Sequence, residues 1–148
     1  MRRHETNLFA AALVEDVKID IELLLAAFDA LQKRADHVFV EGVGGWLVPI
    51  RSDYFVSDLA AAMKLPVLVV AQNRLGCLNH TALTVRNIVS DGLHCVGVAL
   101  NSPFGESDVA VATNAEILEK IVDVPIFPGL SEDMTELPAS WGQIIESI

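Results

Sequence analysis

Leu65-Pro66-Val67-Leu68-Val69-Val70-Ala71-Gln72-Asn73-Arg74-Leu75-Gly76 is the stretch that decides the fold. A proline opens it, an unbroken apolar, β-branched run follows from Val67 to Ala71, and Gln72 to Gly76 breaks the run with polar and glycine residues. A strand with no polar alternation has no face for water, which is what a parallel sheet covered by helices requires. Downstream the pattern recurs. A helix runs from near Asn79 to Val89 and stops at Ser90-Asp91-Gly92, where glycine gives the usual exit. Cys95 to Leu100 is another strand, ended by Asn101-Ser102-Pro103, and a helix follows from about Asp108 to Val122. Val124 to Phe127 is a short strand closed by Pro128-Gly129, and Trp141 to Ile148 is helical.

Upstream, Ile21, Leu24, Leu25, Phe28 and Leu31 recur at helical spacing between Ile19 and Arg34, with Asp20 as N-cap. His37-Val38-Phe39-Val40 reads as a strand ending on Glu41 and a glycine cluster. A loop from Trp46 to Tyr54 leads to a short helix from about Ser57 to Met63. Strands alternating with helices define an α/β fold, a parallel sheet with helices on both faces, and residues 1–148 are expected to form one domain.

The composition narrows the function. With 20 acidic against 10 basic residues, the formal charge of −10 repels a phosphate backbone and an anionic membrane face, so neither nucleic acid nor membrane is an expected partner. A local nucleotide site needs only a few N–H groups and a cation, so the charge does not exclude ATP. Cys77 and Cys95 fit neither a zinc knuckle nor a redox pair and are read as reduced thiols of a cytoplasmic protein. Arg2-Arg3 ahead of the apolar Leu8 to Val14 faintly imitates a signal peptide, but Glu15-Asp16 interrupt it, and a helix start is expected instead.

In open parallel sheets ligands bind beyond the carboxyl ends of the strands. Glu41, at the tip of one strand, can hold Mg²⁺, with Gly42-Val43-Gly44 letting backbone approach phosphate oxygens; it can equally be a solvated carboxylate entering a turn. The Leu75-Gly76-Cys77-Leu78-Asn79 turn leads into a helix whose first N–H groups suit a carboxylate, against the simpler reading of a plain N-cap by Asn79. Asn101 carries an amide that donates and accepts at once, as an adenine edge does, or it serves only the turn before Pro103. Pro128-Gly129-Leu130 offers backbone groups that can frame a flat base or simply end a strand. No G-x-x-x-x-G-K-[ST], G-x-S-x-G or H-E-x-x-H occurs.

The run His37 to Ile50 with its VEG-x-GG element, Leu65 to Val70, Asn73 to His80 with its LG-x-x-NH element, and Gly97 to Asn101 together resemble dethiobiotin synthetase in order and spacing over nearly the whole chain. Corrinoid amidoligases share a similar EG-x-G element but not the second. The resemblance implies a P-loop NTPase-like fold and a homodimeric, ATP-dependent, Mg²⁺-requiring ligase. Such an enzyme turns 7,8-diaminononanoate and CO₂ into dethiobiotin with release of ADP and phosphate, the penultimate step of biotin biosynthesis. It further implies that Glu41 ligates Mg²⁺, that Glu41, Gly42, Val43 and Gly44 lie against the phosphates, and that Asn101 with Ser102 reads adenine. Pro128, Gly129 and Leu130 would line the base, and Leu75, Gly76, Cys77, Leu78 and Asn79 would receive the substrate carboxylate across the dimer.

Against the family pattern this sequence lacks the amino-terminal strand, the phosphate loop, the catalytic lysine and the first metal-binding aspartate. No catalytic residue is therefore carried over, and the chain alone is expected to have negligible synthetase activity and unpaired strand edges. The alternative expectation is a non-catalytic dimerisation or regulatory partner of a complete synthetase.

Overall fold

The computed structural model describes residues 8–42, 44–102, 109–130, 134–136 and 138–146. The chain forms two compact units, Met1–Leu65 and Pro66–Ile148.

In the first unit, α1 (Leu8–Val14) and α2 (Ile21–Gln32) precede a small hairpin of β1 (Pro49–Arg51) and β2 (Tyr54–Phe55), which runs directly into α3 (Val56–Met63). The Asp20 cap is present, its Oδ1 accepting from Leu23 N–H at 3.1 Å. Such a cap contributes about 1 kcal/mol by satisfying a donor that the first helical turn leaves free. Ile21 and Phe28, seven residues apart on one face of α2, are buried. The hairpin lies where irregular loop was expected. Its antiparallel register sets Pro49 opposite Phe55 and Arg51 opposite Tyr54. Arg51 also pairs with Asp53 at 3.2 Å and lies over the Tyr54 ring.

The strand expected over His37 to Val40 does not form. These residues carry no ladder, and Phe39 is 84% exposed. An apolar β-branched run favours extended backbone, but a strand exists only where a neighbour supplies N–H and C=O groups, and among the described residues none pairs with this segment.

In the second unit, β3 (Val67–Gln72), β4 (Cys95–Asn101) and β5 (Ile126–Pro128) form a parallel sheet with β4 in the middle. α4 (Cys77–Ser90) and α5 (Val109–Ile121) connect them, and α6 (Ala139–Glu146) follows. The first six residues of β4 are buried, as its apolar run foretold. β3 was read as a buried strand too, yet it is only partly covered, with Val70 67% exposed, because it forms an edge of the described sheet. α4 packs on β3, β4 and α5, and α5 on β5. Ile144 of α6 joins Val96 and Phe127 in a core cluster that Leu68 and Trp141 extend. Burying a side chain of this size stabilises by roughly 1.5–3 kcal/mol, so this short last helix is held by packing more than by propensity. Trp141 also donates its Nε1–H to the Pro128 carbonyl at 3.2 Å, fixing the last residue of β5.

Candidate functional site

The parallel register brings the strand ends of the second unit into one row. Gln72 lies opposite Asn101, and Leu100 opposite Pro128, so the segments that follow all three strands leave the sheet at the same edge. Asn101 sits between them. Its carbonyl accepts from Asn73 N–H at 2.8 Å on the β3 side. On the β5 side Gly129 comes so near that an added Cβ would stand 2.8 Å from Asn101 Cα, 3.0 Å from its Oδ1 and closer still to the Leu100 carbonyl oxygen. Only a residue without a side chain permits that approach of one backbone to another. Asn101 and Gly129 are half-buried, whereas Ser102, Pro128 and Leu130 are exposed. The edge thus presents a half-buried amide, exposed backbone and an apolar rim.

The turn after β3 ends in a helix start that the sequence placed two residues too late. α4 begins at Cys77, with Gly76 as its N-cap at φ +90°, and Asn79 lies inside the first turn rather than at the cap. A left-handed backbone at that position selects glycine over asparagine, whatever the side-chain preference of caps. Cys77 N–H donates to the Arg74 carbonyl at 3.1 Å, while those of Leu78 and Asn79 lie ahead of the first intrahelical bond. Leu75 is 83% exposed and Cys77 is buried.

The turn is itself fastened from α5 by a residue that the sequence reading passed over. Asn114, buried in the middle of α5, donates from Nδ2 to Asn73 Oδ1 at 2.8 Å and to the Arg74 carbonyl at 3.2 Å. Asn73 returns a bond from its own Nδ2 to the Val111 carbonyl at 3.2 Å. An asparagine inside a helix is a poor helix former, and that mismatch was the one available signal.

The remaining candidates belong to the first unit. Glu41 and Gly42 are exposed and in no regular element, Val43 lies outside the described residues, and Gly44 adopts φ +82°. The turn that follows is tied to the start of α3: Val48 N–H donates to the Gly45 carbonyl, Ser57 N–H to that of Trp46 and Val56 N–H to that of Val48, each at 3.0 Å. Among the described residues no group of three or more His, Cys, Asp and Glu side chains is gathered to hold a metal ion, and no helix is long and apolar enough to cross a membrane.

Parallel strands joined by helices, with the turns after them gathered at one edge, define an α/β protein of the open parallel-sheet class. The chain belongs to the family described as AAA domain, which matches residues 4–134. Its relatives carry a more specific name. It is 44% identical over 124 residues to the ATP-dependent dethiobiotin synthetase BioD of Akkermansia muciniphila, covering 84% of this chain and 58% of that protein. It is 38% identical over 135 residues to that of Thermodesulfovibrio yellowstonii, covering 86% and 56%. With that of Bacillus subtilis strain 168 it shares 36% over 118 residues, covering 80% and 51%. The resemblance read from the motifs is thus borne out, over a chain that spans a little more than half the length of these relatives.

Proposed function

We propose that this chain carries the adenine-facing and substrate-carboxylate-facing part of an ATP-dependent dethiobiotin synthetase of the cytoplasm. The observation that supports this best is the row of strand ends, in which Asn101 is clamped between the Asn73 amide and Gly129 beside the start of α4. A planar base needs an amide that both donates and accepts, plus a slot with backbone walls. Asn101 supplies the amide, Ser102 a neighbouring hydroxyl, and Pro128 to Leu130 the wall.

The amides of Leu78 and Asn79 open a 14-residue helix, and its dipole favours the carboxylate of a diaminononanoate substrate there. In a homodimer that substrate would be shared with the partner subunit. When Mg²⁺ is bound it neutralises phosphate charge. The ion takes one or two carboxylates and fills its other positions with water and phosphate oxygens, so the exposed Glu41 suits it as a single ligand rather than as part of a closed cage. Gly42 and Gly44 would lie toward the phosphates, with backbone N–H groups as donors.

The 148 residues contain no G-x-x-x-x-G-K-[ST]. Phosphoryl transfer depends on positioning and charge stabilisation of that kind, so this polypeptide alone has negligible turnover of CO₂ and diaminononanoate. Calorimetric titration with Mg·ATP, with and without a separately supplied segment carrying a phosphate loop, tests the reading. Weak binding by the chain alone, with tight binding and dethiobiotin formation only with both pieces, supports it; no nucleotide binding under either condition refutes it.

A further inference from the structure

We propose that Asn114 is a positioning residue that locks the turn after β3, so that the Asn101 strand end and the start of α4 are held as one body. Five hydrogen bonds tie that turn to three elements, one of them from Asn73 Nδ2 to the Val111 carbonyl at 3.2 Å. Asn114 Nδ2 reaches Asn73 Oδ1 and the Arg74 carbonyl, at 2.8 and 3.2 Å. Asn73 N–H reaches the Asn101 carbonyl at 2.8 Å, and Cys77 N–H reaches the same Arg74 carbonyl at 3.1 Å.

The geometry demands an amide. Both protons of the Asn114 Nδ2 are spent on acceptors, at a position only 3% exposed where water cannot substitute freely. Asp in its place would aim oxygen at two other oxygens, and Ala would take away the Asn73 Oδ1 donor and leave the Arg74 carbonyl with the Cys77 N–H alone. Asn73 is the hinge of the arrangement, since its side chain faces α5 on both sides of the amide while its backbone grips β4. A shift of this turn would therefore move Asn101 and the α4 amides together. The link to ligand binding rests on the nucleotide reading given above; the locking of the turn does not.

Two buried cysteines make the inference testable in the chain as it is, since Cys77 is the first residue of α4 and Cys95 the first of β4. Alkylation by iodoacetamide, followed at each cysteine by mass spectrometry, reads the opening of each site separately. In Asn114→Ala the labelling of Cys77 should rise roughly 5- to 30-fold, the effect of losing two hydrogen bonds that hold the turn from a buried side chain, with Cys95 changing much less. Equal rises at both cysteines would mean general destabilisation and would overturn the proposal, as would no change at Cys77. If Asn114→Ala fails to fold, Asn73→Ala, at a half-buried turn position, makes the same test with the same two outcomes.

An adenosine titration of both proteins adds the functional arm, with affinity expected to fall about fivefold in the variant. Unchanged affinity alongside a loosened Cys77 overturns the link to Asn101. Absence of adenosine binding to either protein refutes the nucleotide reading, and Cys77 then decides on Asn114 alone.

Discussion

Replacing Gly129 by Ala places a methyl group where β5 leaves the sheet, with Asn101 Cα at 2.8 Å when ordinary contact begins at 3.4 Å. The Leu100 carbonyl oxygen lies nearer still, and both neighbours are backbone atoms that cannot rotate away. Their strand, β4, is bonded to β3 on one side and β5 on the other, so relief requires moving a strand in the middle of the sheet. Overpacking of this kind costs about 2–3 kcal/mol, a shift of roughly 30-fold or more in the folding equilibrium. Urea unfolding followed by Trp141 fluorescence is the suitable assay, because Trp141 hydrogen-bonds to Pro128 and packs 5.7 Å from the Phe127 ring. A Trp46→Phe background makes that signal specific. The urea midpoint should fall by about 1 M or more for a slope typical of a small protein. Gly142→Ala, on α6 with nothing within 4 Å of the added carbon, is the control and should gain up to about 1 kcal/mol. A Gly129→Ala midpoint equal to that of the parent would refute the claimed close approach.

Gly97→Ala should destabilise by at least as much, because Gly97 holds φ +151° and a Cβ would stand 2.7 Å from the Pro125 carbonyl oxygen and closer to the Phe127 ring; an unchanged urea midpoint would contradict this. Thr81 Oγ1 is buried with no hydrogen-bond partner among the described residues, so Thr81→Val should be neutral or stabilising by about 1 kcal/mol, and a loss of that size in thermal unfolding would count against it. Burial pushes the Cys95 thiol up from its ordinary value of 9.0, with a smaller lowering from the Gly97 backbone. A raised folded-state pKa gives stability that is complete below the ordinary value and is lost as pH climbs through the raised one. Urea midpoints measured from neutral to alkaline pH should therefore fall less steeply in Cys95→Ala than in the parent, and parallel curves would be the contrary result.

What the sequence revealed and what it hid divide along the range of the interactions. The Cys95 to Leu100 run and the Asp20 cap are local patterns, and both are realised as read. So is the presence of the two helices that flank β4, although the strand runs one residue further than read, through Asn101. The start of α4 was misplaced because cap preference by residue type pointed to Asn79, while the backbone turn put a left-handed Gly76 there. His37 to Val40 has strand composition but no partner in register, and pairing is not a property of the run itself. Gly129 against Asn101, and Asn114 against Asn73 across 41 residues, arise only from the register of the sheet and the packing of α5. The candidate residues of the second unit were thus nameable one by one, but not their convergence.

The central claim is that the row of strand ends around Asn101 reads an adenine base. An adenosine titration followed by ¹H–¹⁵N spectra of the labelled chain tests it most directly. The account expects saturable shifts concentrated at the amides of Asn101, Ser102, Gly129 and Leu130 and at the Asn101 side chain, lost in Asn101→Ala. Shifts absent at those residues at millimolar adenosine, or undiminished in Asn101→Ala, would contradict it.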